Sequence, residues 1–303
     1  MSKIIKIAID AMGGDGSPKK IIDGIIHNHK SNQENFFHIF GDKNKILEHI
    51  KDKIDDKFYD IYHTENTVKS TDSPLEAAKR GKNTSMWLAI ESVKQKKNDI
   101  VISAGNTGAL LVIAKLNLKM IENIDKPALS ALWPNKKGMS VVLDLGANIE
   151  CNSKNLVDFS IMGASLYKSL YPDENPNVAL LNIGSEEIKG NETVKETFQK
   201  LNSLKNNNFN FFGYIEGNQL MNGDVNVIVS DGFTGNVALK TAEGTANFIT
   251  SELKEALSGT ILGKISSLLN MSNLKKFKKR LDPRLYNGAI FIGLDTPVVK
   301  SHG

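Results

Sequence analysis

The stretch VISAGNTGAL, residues 101–110, sets a hydrophobic run directly before a turn of small and polar residues. Ile100 to Ile102 have the composition of a buried strand, and Ala109 to Leu118 carry helix-forming apolar residues. Gly105 and Gly108 permit tight backbone turns between them. The stretch therefore predicts strand, tight loop, helix. Such a helix start attracts an anion such as phosphate, although many α/β connections contain glycine only for packing.

The same alternation extends along the chain. Apolar runs with the composition of buried strands occupy residues 4–9, 100–102, 139–145, 178–183, 225–230 and 289–294. Segments with helical spacing lie between them, at residues 75–96, 156–170 and 194–204. This order predicts an α/β fold of three layers, in which helices cover both faces of a mostly parallel sheet. Because no linker or internal repeat interrupts the pattern, we expect a single domain over residues 1–303.

Loops of one style follow the predicted strands. They read IAIDAMGGDGSP, VISAGNTGA, VVLDLGANIE, ALLNIGSEEIKGNE and VIVSDGFTGNVALK. In a parallel sheet the loops after the strands emerge at the carboxyl edge, where ligands bind. The five loops are therefore predicted to line one crevice, and their small polar residues suit close backbone approach to a small oxyanion. Lys189 and Lys240 are the nearest cations along the chain.

Composition and missing motifs exclude several classes of protein. The chain is 40% hydrophobic and 24% charged, has no apolar stretch long enough for a membrane span, and begins without a signal-peptide pattern. The single Cys151 excludes a disulfide framework and indicates a cytoplasmic location. No GxxxxGK[ST], complete GxGxxG, HExxH or GxSxG motif occurs, so we expect no nucleotide cofactor and no metal site.

A basic, amphipathic segment lies near the C-terminus. Residues 264–284 hold seven Lys or Arg and one acid, although the whole chain carries a net charge of only +4. Apolar residues over 248–277 follow helical spacing, with Gly259 and Gly263 as hinges. We therefore predict a protruding helical excursion at 248–284 that contacts a second subunit, a membrane or an acidic protein, or is merely solvated. A nucleic-acid-binding role is not supported, because the segment has no aromatic platform on which bases could stack.

A series of motifs runs in order through the whole chain: IDAMGGD (9–15), RGKNTSM (80–86), SAGNTGAL (103–110), PALSALWP (127–134), LDLGAN (143–148), LLNIGSEEIKGNE (180–192), SDGFTGNVALKTAEG (230–244) and SHG (301–303). This series resembles the PlsX family, bacterial phosphate acyltransferases of phospholipid synthesis. The resemblance implies transfer of a long-chain acyl group from acyl carrier protein to inorganic phosphate. It also implies a Rossmann-like fold similar to isocitrate and isopropylmalate dehydrogenases and to phosphotransacetylases.

The resemblance further implies partners and a location. Members of the family work as homodimers on the inner face of the membrane, where a downstream glycerol-phosphate acyltransferase is a further candidate partner. Two departures stand out: YNGAIFIG at 286–293 replaces a YGGAPLLG-like stretch, and the family's C-terminal helix is expected to be absent after Gly303. The basic residues expected to contact membrane or carrier protein are Lys275, Lys276, Lys278, Lys279 and Arg280.

The chemistry of this reaction suits the residues of the loops. Phosphate is already anionic and a thiol is a good leaving group, so positioning and oxyanion stabilisation are the main requirements. The predicted phosphate-binding residues are Gly105, Asn106, Thr107, Gly108, Gly232, Gly235 and Asn236, which offer backbone N–H groups and the two Asn amides. Further site loops are predicted at Gly13, Gly14, Asp15, Asn148 and Asn191.

Catalytic roles are assigned to Lys189, Asp10, Asp231 and His302. Lys189 offsets negative charge, or is an ordinary surface lysine. Asp10 and Asp231 orient a lysine or a water, or cap turns and helices. His302 is a candidate proton donor. Direct attack by phosphate is preferred to an acyl-enzyme on Cys151, since a lone cysteine usually behaves as a small hydrophobic residue.

The sequence leaves two other functions open. One is a phosphotransacetylase-like enzyme that uses coenzyme A as the acyl carrier. The other is a catalytically silent protein that binds phosphate or lipid on the same scaffold.

Overall fold

A computed structural model describes residues 4–205, 208–281 and 288–301 of the chain. Its packing divides the chain into two compact units. Unit 1 comprises Met1–Pro127 and Gly288–Gly303, and unit 2 comprises Ala128–Asn287. The single domain over residues 1–303 stays a prediction.

Helices and strands alternate along the chain. The strands are β1 (Lys6–Asp10), β2 (Phe36–Gly41), β3 (Tyr59–His63), β4 (Ile100–Ser103), β5 (Ala128–Pro134), β6 (Met139–Leu143), β7 (Asn177–Asn182), β8 (Asn210–Glu216), β9 (Val227–Val229), β10 (Ala289–Ile292) and β11 (Val298–Lys300). The helices are α1 (Lys19–Ser31), α2 (Lys43–Ile50), α3 (Pro74–Arg80), α4 (Ser85–Lys94), α5 (Thr107–Asn117), α6 (Ser153–Leu170), α7 (Glu192–Ser203), α8 (Gly232–Ser258), α9 (Ile261–Leu269) and α10 (Met271–Leu281).

Unit 1 carries strands in the order β3-β2-β1-β4-β11-β10. All pairs are parallel except β10 with β11, which is antiparallel. β1 is apolar because both of its faces are covered, and Ile7, Ile9 and Phe37 pack there with Ile22 of α1 and Ile46 of α2. The parallel pairing aligns the carboxyl ends of β1, β4 and β11.

Unit 2 carries strands in the order β5-β6-β9-β7-β8, with only β5 and β6 antiparallel. α6 packs closely on β6 and β9 because it presents Gly163 to them. A Cβ at Gly163 would lie 2.6 Å from Cγ1 of Val227 and 2.9 Å from Cδ2 of Leu143. This close approach holds the middle of α6 against β6 and β9.

The α/β fold class with mostly parallel strands is confirmed, and each of the six strands predicted from apolar runs is present. The sequence analysis missed β2, β3, β5, β8 and β11, which are rich in aromatic or polar residues or are only three residues long. The helix predicted at 75–96 is two helices, α3 and α4, because the chain turns at Gly81 and restarts at the cap residue Thr84.

The predicted helical excursion begins earlier than expected, because α8 starts at Gly232 and runs 27 residues to Ser258. α9 and α10 follow it. Large apolar side chains stay exposed on α8 and α9, among them Phe248 (64%), Leu262 (79%), Leu268 (67%) and Leu269 (80%). Within the described ranges, every helix is too short or too polar to cross a lipid bilayer.

Candidate functional site

In unit 1, β1 ends at Asp10, a carboxylate that is only 1% exposed. Ser103 Oγ donates to its Oδ2 at 2.7 Å, and the Met12 N–H donates to its Oδ1 at 3.2 Å. Ser85 and the Gly13 N–H also donate to this carboxylate. Burial raises the pKa of Asp10, and these hydrogen bonds oppose the shift. Asp10 therefore ties β1, β4 and the start of α4 together as a buried framework group.

The loops after β1 and β4 touch each other directly. A Cβ at Gly13 would lie 2.6 Å from Oδ2 of Asp10 and 2.6 Å from the backbone nitrogen of Gly105. Gly14 and Gly16 have φ values of 88° and 78°, which side chains disfavour. Gly14 and Asp15 are exposed. The structure thus brings together the predicted site residues Gly13 and Gly105.

Asn106 is the N-cap residue of α5, and its side chain makes hydrogen bonds that differ from the predicted one. Its Oδ1 accepts the Ala109 N–H at 3.0 Å, and its Nδ2 donates to the carbonyls of Ser70 and Asp72, both at 3.0 Å. Both amide hydrogens are therefore engaged within unit 1. This corrects the prediction that the Asn106 side chain donates to phosphate.

The backbone at the start of α5 remains available to an anion. The Gly105 N–H donates to Ser103 Oγ at 3.0 Å. The next three N–H groups, of Asn106, Thr107 and Gly108, have no acceptor among the residues that the structure describes. Successive unbonded N–H groups at a helix N-terminus carry partial positive charge. This helix start is therefore a candidate anion site of unit 1.

In unit 2, the loop after β6 is organised by Asp144, which is fully buried. Its Oδ1 accepts the N–H groups of Leu129 (3.0 Å), Gly146 (3.1 Å) and Ala147 (2.9 Å). Its Oδ2 accepts the backbone N–H and the side-chain Nδ2 of Asn148, both at 2.8 Å. Burial raises the pKa of Asp144, and the donated hydrogen bonds oppose that shift. One carboxylate therefore holds the whole loop.

The predicted phosphate loop at Gly232 to Asn236 is the first part of α8, and its donors are used within the protein. The Gly232 N–H donates to the Asn148 carbonyl at 2.8 Å, and the Gly235 N–H donates to the Asp231 carbonyl at 3.0 Å. Asn236 Nδ2 donates to the Leu145 carbonyl at 3.0 Å. The predicted phosphate-binding role of Gly232, Gly235 and Asn236 stays a prediction.

The glycines of α8 serve close packing instead. A Cβ at Gly232 would lie 2.6 Å from the Asn148 carbonyl oxygen, and one at Gly235 would collide with the Asp144 carbonyl oxygen. Asp231 caps the helix, since its Oδ1 accepts the Thr234 N–H at 2.8 Å and its Oδ2 accepts Thr234 Oγ1 at 2.9 Å. Of the two roles considered for Asp231, the structure shows the capping role.

Unit 2 also contains a cavity of about 340 Å³ at the starts of α7 and α8. It is lined by Ile149, Glu150, Cys151, Leu156, Asn191, Thr193, Val194, Asp231, Phe233 and Thr234. Asn191 caps α7 by accepting the Val194 N–H at 2.9 Å. The Cys151 thiol donates to the Asn148 carbonyl at 3.8 Å. No Lys, Arg or His is among the residues that line the cavity.

Lys189 lies exposed on the loop between β7 and α7. Asn182 Nδ2 donates to the carbonyls of Gly184 at 3.1 Å and Lys189 at 3.2 Å, which ties the loop to the end of β7. Lys240, the other cation considered, pairs with Glu243 at 2.8 Å. The catalytic role of Lys189 stays a prediction.

The remaining predicted residues are less defined. His302 lies outside the described residues. Lys275 and Lys276 are exposed on α10. Lys278, Lys279 and Arg280 fall in the same helix, and the structure describes only their backbone. The convergence of all five loops on one crevice stays a prediction, since two of them meet in unit 1 and others meet in unit 2.

The sequence analysis missed Ser85, Ser103, Asp144 and Lys300. Each lies in or beside a motif quoted from the sequence, at the end of a strand or the start of a helix. The sequence signal that could have identified them is their position in or beside glycine-containing motifs. Among the described residues, no group of three or more His, Cys, Asp or Glu side chains is placed to hold a metal ion.

Comparisons with known proteins identify the family to which the chain is related. Residues 5–303 match the family model described as fatty acid synthesis protein. The phosphate acyltransferase of Pelagibacter ubique is 78% identical over 303 residues, covering 100% of this chain and 91% of that protein. The phosphate acyltransferase of Maricaulis maris is 42% identical over 310 residues, covering 100% and 87%.

Solved structures show the same fold. A branched-chain phosphotransacylase from Enterococcus faecalis has a TM-score of 0.60 at 15% identity, covering 98% of this chain and 92% of that one. A phosphotransacetylase from Streptococcus pyogenes has a TM-score of 0.60 at 16% identity, covering 100% and 90%. At such identities the likeness concerns the fold alone.

Proposed function

Because the chain belongs to the phosphate acyltransferase family, we propose that it transfers a long-chain acyl group from the thioester of acyl carrier protein to inorganic phosphate. The product is an acyl phosphate for phospholipid synthesis. The observation that carries the phosphate part is the start of α5, where three successive N–H groups have no acceptor among the described residues. These groups are fixed by the caps and hydrogen bonds of Asn106 and Ser103.

The reaction needs little proton transfer before the attack. A phosphate oxygen attacks the thioester carbonyl carbon, and the tetrahedral intermediate then expels the carrier's thiolate, which takes up a proton from solvent. Inorganic phosphate is already an anion near neutral pH, and a thiol has a pKa of about 8.5. Positioning and oxyanion stabilisation are therefore the work of the protein, and preorganised N–H groups perform both.

In this proposal Asp10 is a positioning residue. Its carboxylate is buried and accepts hydrogen bonds from Ser103 and Ser85, so it holds the two glycine loops of unit 1 in contact and does not itself meet the substrate. We also propose that Lys189 offsets negative charge during the reaction. We propose that transfer is direct, because no His, Lys or Arg that could activate a thiol nucleophile is among the residues lining the cavity at Cys151.

Competition between acyl donors tests the proposed reaction. We expect acyl phosphate formation from palmitoyl carrier protein to exceed formation from palmitoyl coenzyme A at equal thioester concentration. Equal or faster turnover of the coenzyme A donor would replace the carrier protein with coenzyme A in the proposal. Absence of turnover above background with either donor would favour a silent binding protein.

The exposed apolar side of α8 and α9 supports a proposal on partners. Leu262, Leu268 and Leu269 are exposed there, and α10 adds Lys275 and Lys276. Exposed apolar surface of this kind marks a contact with another protein or a membrane. A neighbouring basic helix attracts anionic surfaces. We propose that a second copy of the chain covers part of it, and that the basic helix meets the inner membrane or the acidic carrier protein.

Removing positive charge from α10 tests whether the basic helix binds the membrane or the carrier protein. Replacement of Lys275 and Lys276 by Gln is expected to weaken binding to vesicles containing anionic lipid and to raise the KM for carrier protein. The same changes at the exposed Lys94 and Lys97 are the matched control. If the α10 variant matches the control in both assays, the basic helix is only solvated.

A further inference from the structure

The cavity at the starts of α7 and α8 in unit 2 has exposed apolar side chains in its lining. Ile149 is 73% exposed and Phe233 is 63% exposed, and both line the cavity. Leu156 and Val194 add apolar surface to the same lining. Exposed apolar side chains that gather around a concavity mark a place where a ligand or a partner binds. The cavity therefore offers apolar surface that the protein itself leaves open to solvent.

The loop between β7 and α7 adds to this surface. Ile183 and Ile188 are each 80% exposed on it, and it leads into Asn191, which lines the cavity. The loops after β6, β7 and β9 thus each expose a large apolar side chain. These three strands are parallel, so the loops emerge at one edge of the unit 2 strands, the edge where ligands bind in such sheets. A group of such side chains says more than a single exposed one.

Three polar side chains of the lining are engaged in hydrogen bonds within the protein. Asn191 Oδ1 accepts the Val194 N–H at 2.9 Å. The two carboxylate oxygens of Asp231 accept the N–H and the Oγ1 of Thr234, at 2.8 Å and 2.9 Å. A ligand that displaced these bonds would gain little, because one hydrogen bond would replace another. Burial of the open apolar side is the larger available gain.

The charge and the size of the cavity narrow the class of ligand. No Lys, Arg or His is among the lining residues, so an anion would meet the Asp231 carboxylate without a side-chain cation. The volume of about 340 Å³ is roughly ten times that of a water molecule. A methylene group is similar in size to water, so the cavity has room for part of a long alkyl chain. Among the proposed substrates, only the acyl chain is neutral and apolar.

We propose that this cavity binds a segment of the fatty acyl chain of the donor and thereby sets the chain-length preference of the enzyme. The inference rests on the proposed function, since it assigns a place to the acyl group of that reaction. Ile149 and Phe233 are then specificity-determining residues that contact the alkyl chain.

Kinetics with acyl donors of increasing chain length test this. Each methylene that the cavity buries should raise kcat/KM by up to about fourfold, and the gain should level off beyond roughly ten carbons. In the double variant Ile149→Ser, Phe233→Ser, the KM for a decanoyl donor should rise about tenfold and the KM for phosphate should not change. Both side chains are exposed, so the fold is kept. Phe212→Ser, at an exposed position of β8 outside the cavity, is the matched control.

A binding measurement without turnover separates this inference from the proposed function. The neutral probe 1-decanol should raise the Tm of the wild type and of Phe212→Ser more than that of the double variant, whether or not acyl phosphate is formed. Equal responses of the double variant and the control to decanol would overturn the inference. A double variant that changes its sedimentation behaviour but keeps the donor KM would also overturn it, because the surface would then be a contact between two copies of the chain.

Discussion

The N–H group of Thr107 can be deleted with little disturbance of the fold, because Thr107 is the first residue of α5. Proline is favoured at the first position of a helix, where its missing N–H leaves no intrahelical bond unmade. The preceding Asn106 has ψ of 119°, which a following proline accepts. Thr107→Pro therefore removes one of the three proposed phosphate donors and keeps the cap.

The expected loss follows from the donor's state in the structure. The Thr107 N–H has no acceptor within the described residues, so its removal costs no hydrogen bond inside unit 1. It does remove one hydrogen bond to a charged ligand, worth about 1.5–3 kcal/mol. Since about 1.4 kcal/mol corresponds to a factor of ten, the KM for phosphate should rise about 10- to 100-fold.

The assay is acyl phosphate formation at saturating acyl donor with phosphate varied. Thr107→Ala, which keeps the N–H and loses the side chain, is the control and should stay within about twofold of wild type, as is usual for a contact-free surface change. Tm values of both variants check the fold. An unchanged phosphate KM in a folded Thr107→Pro protein would refute the assignment of phosphate to the start of α5.

Three further outcomes are expected. In Asp144→Asn, two of the five donors would face an amide NH₂ group that cannot accept a hydrogen bond, so the free energy of unfolding measured in urea should fall by at least about 3 kcal/mol. Asp173→Asn, at an exposed position, is the control and should show no loss. Equal urea midpoints for the two variants would contradict the anchoring role of Asp144. Burial raises the pKa of Asp10 above 3.8, so the folded state binds the proton more tightly and the wild type's unfolding free energy should fall as pH rises from about 3.8 through the raised pKa. Asp10→Asn should lack this component, and urea midpoints with identical pH slopes in both proteins would argue against it. Cys151→Ser should keep most activity, and isolation of an acyl thioester on Cys151 by mass spectrometry would overturn direct transfer.

The sequence by itself was sufficient for the fold class. Strands buried on both faces, such as β1 and β9, must be apolar throughout, so short Val- and Ile-rich runs identified them. Strands with mixed composition, such as β2 and β8, carry no such run and were missed. Tight turns need glycine, so the glycine motifs marked where β1 and β4 end.

The roles of individual polar groups depended on partners far away in the chain. Asn106 was predicted to bind phosphate, but its amide is used by carbonyls 34 and 36 residues earlier. Asp10 meets Ser103 across 93 residues, and the Lys300 ammonium meets Ala104 across 196. A pattern of neighbouring residues contains no information on such pairs, because strand pairing sets them.

Local composition therefore determined which segments are buried and where the chain turns, since burial and turn conformation are properties of a few adjacent residues. Only the tertiary structure decided which donors are satisfied and which remain available to a ligand. That distinction depends on the register of β1, β4 and β11, and it favours the start of α5 over the other predicted phosphate loop. Each polar group can donate only as many hydrogen bonds as it has hydrogens, so its function is known only when its partners are known.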